Sequence, residues 1–383
     1  MLIVLDQSLF DVITDEYENS TSSELYKNVI GSVEHLARIR RLGRHWIWGE
    51  KHILEAFGNS AHLSIISQGV YKYLFSNYPT NKPPRFSKYV RVCSKLEDDL
   101  DIKINPNNYN EILVSSRFIH NNLSDISCIL LCEDIHDIDF YHIIAQVYQY
   151  RHLHDSKILL SINKQAGGGN NISDVYNQIK IDHQNIVLCI VDSDKKYPQG
   201  PIGETARRIQ TIENNTIFPL SFLYILNVRE IENLLPTKFF DSVVSERINP
   251  IECYELLDDV ATEARYFIDV KDGLKLHDIF QAVNQVDYYN HLRYVASLLD
   301  DRINGYDQLT CLIGNQCNTR KECSCTVIPG CGPSILRKVI TENLASKSIP
   351  RISHEVPPSY YSEWDKIGEI ITTWCCGSNP IRS

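Results

Sequence analysis

The chain has 383 residues, which is more than one small module and enough for two or three domains. Hydrophobic residues make up 43% and charged residues 22%, the usage of a globular protein with buried cores, which excludes collagen-like and low-complexity chains. With 38 basic residues against 48 acidic ones, the formal charge is −10, so no overall positive field attracts nucleic acid.

The first residues show no secretory signal, because the apolar run has no basic start and only four residues, Leu2–Leu5, separate Met1 from Asp6. Nowhere does the sequence contain about 18 uninterrupted apolar residues, the length that a membrane span needs. We therefore expect a soluble, cytoplasmic protein with no membrane partner.

Composition and periodicity predict an α/β protein with three regions. Residues 1–124 form a mixed α/β domain, residues 125–237 a parallel sheet flanked by helices, and residues 238–383 a mainly helical, Cys-rich region.

In the first region, a basic run is followed by Trp46 and Trp48. Its arginines are Arg38, Arg40, Arg41 and Arg44. Arginine beside aromatic residues suits phosphates and stacked bases, so this run is a predicted nucleic-acid contact. The alternative is one solvated helix face.

The central region alternates strand-like runs with helix-period segments. Strands are predicted at 126–132, 157–162, 185–191 and 221–226, with helices around 140–148 and 172–179. Acidic residues follow three of these strands: Glu133 and Asp137, Asp192 and Asp194, and Glu230 and Glu232.

Ligands of open α/β sheets gather beyond the carboxyl ends of the strands, so these acids are expected to converge. Carboxylates about 4 Å apart repel one another, and Mg²⁺ resolves this because it prefers oxygen ligands and keeps sites open for phosphates. Individually, each acid has another interpretation as a turn residue or a helix cap.

The ordered set resembles the TOPRIM domain. It comprises Glu133-Asp-Ile-His-Asp137, the Gly167-Gly-Gly169 turn, Asp192-Ser-Asp194 and Arg229-Glu-Ile-Glu-Asn-Leu-Leu-Pro236. The closest similarity is to OLD-type nucleases and to the stand-alone TOPRIM effectors of bacterial anti-phage defence systems.

The resemblance implies hydrolysis of nucleic-acid phosphodiester bonds in DNA or in RNA, including tRNA, with Mg²⁺ or Mn²⁺. It implies Glu133, Asp192 and Asp194 as catalytic residues. The implied metal ligands are Glu133, Asp137, Asp192, Asp194, Glu230 and Glu232. Lys195 and Lys196 are candidate contacts to nucleic acid, or solvent-facing loop residues.

OLD-type enzymes carry a fused ATPase, whereas this chain has no Gly-x4-Gly-Lys-Ser/Thr loop. By analogy with stand-alone effectors, we expect a separate ATPase or sensor partner that restrains a toxic nuclease, and homo-oligomers are possible partners as well. The alternative function is a non-catalytic TOPRIM-fold assembly or regulatory subunit.

Seven of the twelve cysteines follow residue 310. Cys317, Cys323, Cys325 and Cys331 form a symmetrical spacing that predicts a structural Zn²⁺ site, although it lacks paired Cys-x2-Cys knuckles. Buried free thiols are the alternative.

Overall fold

The computed structural model describes residues 1–14, 23–153, 157–240, 243, 250–260, 262–280, 286–299, 323 and 325–381. The chain divides into two compact units. The first unit comprises Met1–Ile190, Arg208–Tyr224 and Asp365–Ser383, and the second comprises Val191–Arg207 and Ile225–Trp364. These units cut across the boundaries at 124 and 237 that composition suggests.

The β-strands of the described residues are short. They are β1 (Leu2–Leu5), β2 (Trp46–Trp48), β3 (Tyr89–Cys93), β4 (Ile102–Asn105), β5 (Asn108–Ser115), β6 (Cys128–Cys132), β7 (Leu159–Leu160), β8 (Ile162–Ala166), β9 (Val187–Val191), β10 (Ser221–Ile225), β11 (Gly273–Lys275), β12 (Thr326–Pro329) and β13 (Cys376–Gly377).

The α-helices alternate with these strands over most of the chain. They are α1 (Gln7–Thr14), α2 (Glu24–Arg41), α3 (Lys51–Asn59), α4 (Ile65–Ser76), α5 (Ser116–Asn121), α6 (Ile135–His152), α7 (Ile172–Asp182), α8 (Glu204–Asn215), α9 (Pro250–Val260), α10 (Thr262–Arg265), α11 (Leu276–Phe280), α12 (Val286–Leu299), α13 (Ile335–Lys338), α14 (Ile349–Glu355) and α15 (Tyr361–Cys375).

The first unit contains a mixed five-stranded sheet with the order β2-β1-β3-β5-β4. Strand β1 pairs in parallel with β2 and β3, β3 pairs in parallel with β5, and β4 is antiparallel to β5. All four residues of β1 are buried, as expected for an apolar strand with neighbours on both sides. The predicted mixed α/β character of the N-terminal region is confirmed.

The second sheet of this unit has the order β10-β9-β6-β8, and β6 pairs in parallel with both β8 and β9. Every residue of β6 and β9 is buried, which explains their continuous apolar sequences. Helix α6 packs against β6 and β8, and α7 packs against β6. The predicted parallel sheet flanked by helices is confirmed.

The position of the strand predicted at 157–162 is wrong. Leu159–Leu160 instead pairs antiparallel with β13, and the strand of the parallel sheet is Ile162–Ala166. Because β8 lies at the sheet edge, it carries Asn163, Lys164 and Gln165 and does not show the apolar run of a central strand.

The second unit combines helices with an antiparallel pair, β11 and β12. Its interior contains Arg265, whose side chain is fully buried with its guanidinium 4.6 Å from the Tyr254 ring centroid. A buried cation over an aromatic face is stabilised by the ring quadrupole. Among the described residues of the whole chain, no helix is long and apolar enough to cross a membrane.

Candidate active site

The strand ends of the parallel sheet position the predicted acids. Strands β6 and β9 are adjacent and parallel, and Glu133 follows the first of them while Asp192 follows the second. Val187 N donates to Leu220 O near the start of the two strands, and Leu226 N donates to Val191 O near their end. Because the residue numbers of the partners increase in the same direction, β10 is parallel to β9 as well. The carboxyl ends of these strands therefore lie at one edge of the sheet.

The glycine turn lies against the backbone of Glu133. Gly168 N and Gly169 N are 3.2 and 3.4 Å from Glu133 O, and Gly167 N donates to Cys132 O at 2.7 Å. Gly168 and Gly169 have φ angles of +71° and +64°, in the left-handed region that glycine adopts without strain. The turn thus fixes the chain beside the half-buried Glu133.

Asp137 has a structural role in the first turn of α6. Its Oδ2 accepts a hydrogen bond from Asp134 N at 2.9 Å, and Asp134 Oδ1 accepts from His136 N at 2.8 Å. The Asp134 side chain also accepts from the backbone N–H of Asp137, which completes a capping box. The helix-cap interpretation of Asp137 accounts for its position.

Asp192, Ser193 and Asp194 form a loop that is bonded to the segment 228–231 within the second unit. Asp192 Oδ1 accepts from Ile231 N at 3.0 Å, while Ser193 N and Asp194 N donate to Arg229 O at 3.1 and 2.9 Å. The backbone does not stay extended, because Asp194 has a φ angle of +54°. The alternation of an extended strand therefore does not place the exposed side chain of Asp194 on the same face as that of Asp192.

Glu230 and Glu232 are buried, with 7% and 5% of their surface exposed, and they face basic side chains. Lys271 Nζ lies 3.2 Å from Glu230 Oε2 and 3.4 Å from Glu232 Oε2. Arg229 bridges Glu230 Oε1 at 3.3 Å and Asp269 Oδ2 at 2.8 Å. The protein's own cations thus neutralise the carboxylates of this ion-pair cluster.

The protonation of the cluster reflects this pairing. Burial raises the pKa of Glu232, and the charge of Lys271 opposes that shift. Burial on its own lowers the pKa of Lys271, but Glu232, Glu230 and Asp192 reverse the effect and raise it overall. Lys271 is therefore held as an ammonium ion beside the two glutamates.

The residues fit the implied metal ions only in part. Glu133, Asp192 and Asp194 offer the hard oxygen donors that Mg²⁺ prefers. Glu230 and Glu232 do not fit as metal ligands, because the Lys271 ammonium already lies against an oxygen of each. Across the described residues, no three His, Cys, Asp or Glu side chains are grouped to hold a metal ion.

A cavity of about 120 Å³ in the second unit lies beside this cluster, lined by Lys196, Arg229, Asp269, Tyr288 and Tyr289 among others. Pockets that enclose a small organic ligand usually exceed roughly 300 Å³. The cavity is therefore too small to enclose a nucleotide. Lys196, which lines this cavity, is exposed, and Lys195 is half-buried.

The predicted arginine patch is divided by burial. Arg38 and Arg44 are exposed and Arg41 is half-buried, whereas Arg40 is only 3% exposed and donates to Asn379 O at 2.9 Å. Burial lowers the pKa of Arg40 to about 10. The structure thus corrects the prediction for Arg40, which contacts the protein interior and not a nucleic-acid surface.

The predicted zinc ligands lie partly within the described residues. Cys323 and Cys325 are buried and Cys331 is half-buried, none of the three forms a disulfide, and Cys317 lies outside the described residues. Burial raises the pKa of the Cys331 thiol to about 11. With one of its four predicted ligands undescribed, the zinc site stays a prediction.

Sequence reasoning did not identify Lys271 or Asp269, although both are central to the ion-pair cluster. The sequence around these residues indicates only a turn. In the structure, Asp269 Oδ1 accepts from Asp272 N at 2.8 Å, and Gly273 has a φ angle of +77°. Asp-Gly pairs mark turns, but they do not show what the turn faces.

Comparison of the chain with known protein families, curated proteins and solved structures finds no match.

Proposed function

We propose that the protein is a TOPRIM-type, metal-dependent nuclease that hydrolyses phosphodiester bonds of DNA or RNA. The observation that carries the proposal is the placement of Glu133 and Asp192 directly after two adjacent parallel strands. Acids at neighbouring strand ends are directed to the same edge of a sheet, which is where open α/β sheets bind ligands.

In this proposal, Glu133, Asp192 and Asp194 form the catalytic set. The chemistry that bound Mg²⁺ or Mn²⁺ supplies is activation of water and stabilisation of the leaving oxygen. The turn at Gly167–Gly169 holds the backbone of Glu133, and the bond from Ile231 N orients the Asp192 carboxylate.

Glu230 and Glu232 have a supporting role in the proposal. Their pairing with Lys271 anchors the segment that begins at Arg229, whose carbonyl accepts the bonds from Ser193 N and Asp194 N. An intact ion-pair cluster thereby fixes the loop that carries Asp192 and Asp194.

The proposal includes a biological setting. A nuclease without its own P-loop is suited to control by a separate ATPase or sensor, as in anti-phage effectors of the TOPRIM type. We therefore propose a restrained toxic effector that is released when that partner responds to infection.

The second candidate is a non-catalytic assembly or regulatory subunit. It is favoured by one observation, the Lys271 ammonium between Glu230 and Glu232. A protein lysine that neutralises strand-end acids is what a fold without catalytic metals would contain, because buried carboxylates need a compensating cation.

The two candidates are separated by cleavage assays on plasmid DNA, single-stranded DNA and tRNA with Mg²⁺ or Mn²⁺. The assays use the chain alone and the chain co-expressed with the products of adjacent genes. A nuclease loses at least about a hundredfold in rate in Glu133→Gln and Asp192→Asn, because each substitution removes a charged oxygen ligand.

Asp182→Asn is the matched control, since Asp182 is an exposed acid at the C-terminal end of α7, shortly before the start of β9. Wild-type cleavage by Asp182→Asn, with none by the two strand-end variants, supports the nuclease. Equal cleavage by all variants, or none by the wild type with any substrate or partner, supports the non-catalytic subunit.

A further inference from the structure

A cleft of about 420 Å³ in the first unit is separate from the strand-end acids. Its walls come from α2, from the start of α4 and from His120 of α5. On α2 it is lined by His35, Arg38 and Arg41. This volume lies within the range of roughly 300 to 1,000 Å³ that small-ligand sites occupy.

The carboxylates at this cleft are already satisfied by donors of the protein. Glu34 accepts from Ser64 Oγ at 2.8 Å and from Ser67 Oγ at 2.5 Å, and also from Ser64 N. Because α4 begins at Ile65, the positive end of this helix further compensates Glu34. A ligand anion therefore meets a carboxylate whose charge is already compensated.

His35 contributes a buried donor that is incompletely paired. Arg38 NH2 lies 3.1 Å from His35 Nδ1, and a guanidinium only donates, so Nδ1 accepts and the ring proton is on Nε2. Nε2 is 3.5 Å from Asp125 Oδ1 and has no hydrogen-bond partner in the described chain, although the side chain is only 10% exposed. The long contact to Asp125 leaves this buried donor incompletely paired, so a ligand oxygen could complete its bonding.

The charge of Arg38 is partly committed, since its NH2 donates to Asp125 Oδ1 at 2.7 Å. Arg41 has no such pairing, because no carboxylate among the described residues lies within ion-pair distance of its guanidinium. Arg41 therefore supplies a guanidinium to the cleft that can bind an oxyanion with two parallel hydrogen bonds.

His120 is placed against the backbone of α2 by a glycine. A Cβ at Gly31 would lie 2.1 Å from His120 Nδ1, so the imidazole occupies the space that any other side chain at position 31 would fill. Glycine within a helix lowers its stability, which makes this approach of a histidine ring a specific feature of the cleft.

We propose that the cleft binds a phosphate group through Arg41, His120 and the Nε2–H of His35. A phosphate offers several acceptor oxygens to donors of the cleft lining, and its charge complements the Arg41 guanidinium, for which the described residues supply no carboxylate partner. Burial lowers the pKa of His35, so the ring is neutral near pH 7 and acts as a hydrogen-bond donor. The site does not depend on the proposed nuclease activity.

The test is isothermal titration calorimetry of the full chain in EDTA, which prevents metal-dependent hydrolysis. The probes are inorganic phosphate, a 5′-mononucleotide and a single-stranded oligonucleotide, and the tightest of them identifies the source of the phosphate. Arg41→Ala and His120→Ala are each expected to weaken binding about tenfold or more, since each removes a bond to a charged group.

Arg85→Ala is the matched control, because Arg85 is an exposed arginine of the same unit that does not line the cleft and does not belong to the basic run of α2. It is expected to change affinity by less than about twofold, since an exposed charge outside the site acts only through screened attraction. Gly31→Ala is the second variant, and it weakens binding as His120→Ala does because its methyl group displaces the ring.

Two results overturn the proposal. One is the absence of saturable binding of all three probes by the folded wild type. The other is an equal loss in Arg85→Ala and Arg41→Ala, which would indicate diffuse attraction to a positively charged surface. Glu133→Gln, which tests the nuclease, is expected to bind phosphate as the wild type does, so the two hypotheses fail independently.

Discussion

The ammonium of Lys271 lies 3.2 Å from Glu230 Oε2 and 3.4 Å from Glu232 Oε2, so one lysine serves two buried carboxylates. Replacement of Lys271 by Met is expected to destabilise the protein by about 1–3 kcal/mol. Breaking a fully buried pair costs about 3–5 kcal/mol, and the partial exposure of Lys271 reduces that cost through solvent screening.

The loss of stability in Lys271→Met is expected to depend on pH. Without the lysine, the pKa of Glu232 is raised further by burial, so its folded-state pKa lies above the unfolded one. The destabilisation is then small at low pH and grows as pH rises through the folded-state pKa. Urea unfolding at pH 5 and pH 8 measures it, with the exposed Lys338→Met as control. Equal losses at both values would contradict the pairing.

The glycine turn beside Glu133 predicts a difference between two neighbouring substitutions. A Cβ at Gly167 would lie 2.4 Å from Ile172 Cβ and 2.7 Å from its Cα, whereas a Cβ at Gly168 meets nothing within 4 Å. Gly168→Ala is expected to cost about 1 kcal/mol for its left-handed backbone. Gly167→Ala is expected to cost about 2–3 kcal/mol, because the start of α7 must move. Thermal unfolding of both variants checks this order, and the reverse order would refute the packing.

His45 predicts acid sensitivity of the first unit. Its side chain is buried, and burial lowers the pKa of the imidazole well below its usual value. The unfolded state takes up the proton first, so stability present above about pH 6.5 is lost as pH falls towards the folded-state pKa. One proton corresponds to about 1.4 kcal/mol per pH unit.

Thermal unfolding at pH 7.5 and pH 5.5 checks this expectation. The decrease in melting temperature between the two values is expected to be smaller in His45→Gln than in the wild type. His120→Gln, which changes an exposed ring, is expected to retain the wild-type decrease. An unchanged decrease in His45→Gln would assign the acid sensitivity to other groups.

Apolar patterning was sufficient to place the central strands of the parallel sheet. Strands β6 and β9 are apolar throughout because both lie between two neighbours. The apolar pattern did not identify edge strand β8, because a strand with only one neighbour tolerates polar residues such as Asn163, Lys164 and Gln165. Apolar periodicity detects buried residues, and the residues of this edge strand are less buried than those of the central strands.

The sequence around the arginine patch has a helical spacing that identifies which arginine is buried. Val29, Val33, Leu36 and Arg40 follow the spacing of one buried helix face, so Arg40 belongs to the interior side of α2. Arg38, two residues away, is exposed because it lies on another face of the helix. Helical phase separates the interior arginine from the others, whereas composition groups them together.

Local sequence patterns could not predict the ion-pair cluster. Arg229 meets Asp269, and Glu230 meets Lys271, across about 40 residues that fold back on themselves. No short motif encodes such a contact, because its geometry depends on the path of the intervening chain. The strand-end acids were easier to predict, since one topological rule places them.

The most direct test of the account is a titration of the full chain with Mn²⁺, followed by electron paramagnetic resonance. The account predicts stoichiometric Mn²⁺ binding by the wild type, loss of binding in Glu133→Gln and Asp192→Asn, and retention in a folded Glu232→Gln variant. Binding that is absent from the wild type, or that survives both strand-end substitutions, would contradict it.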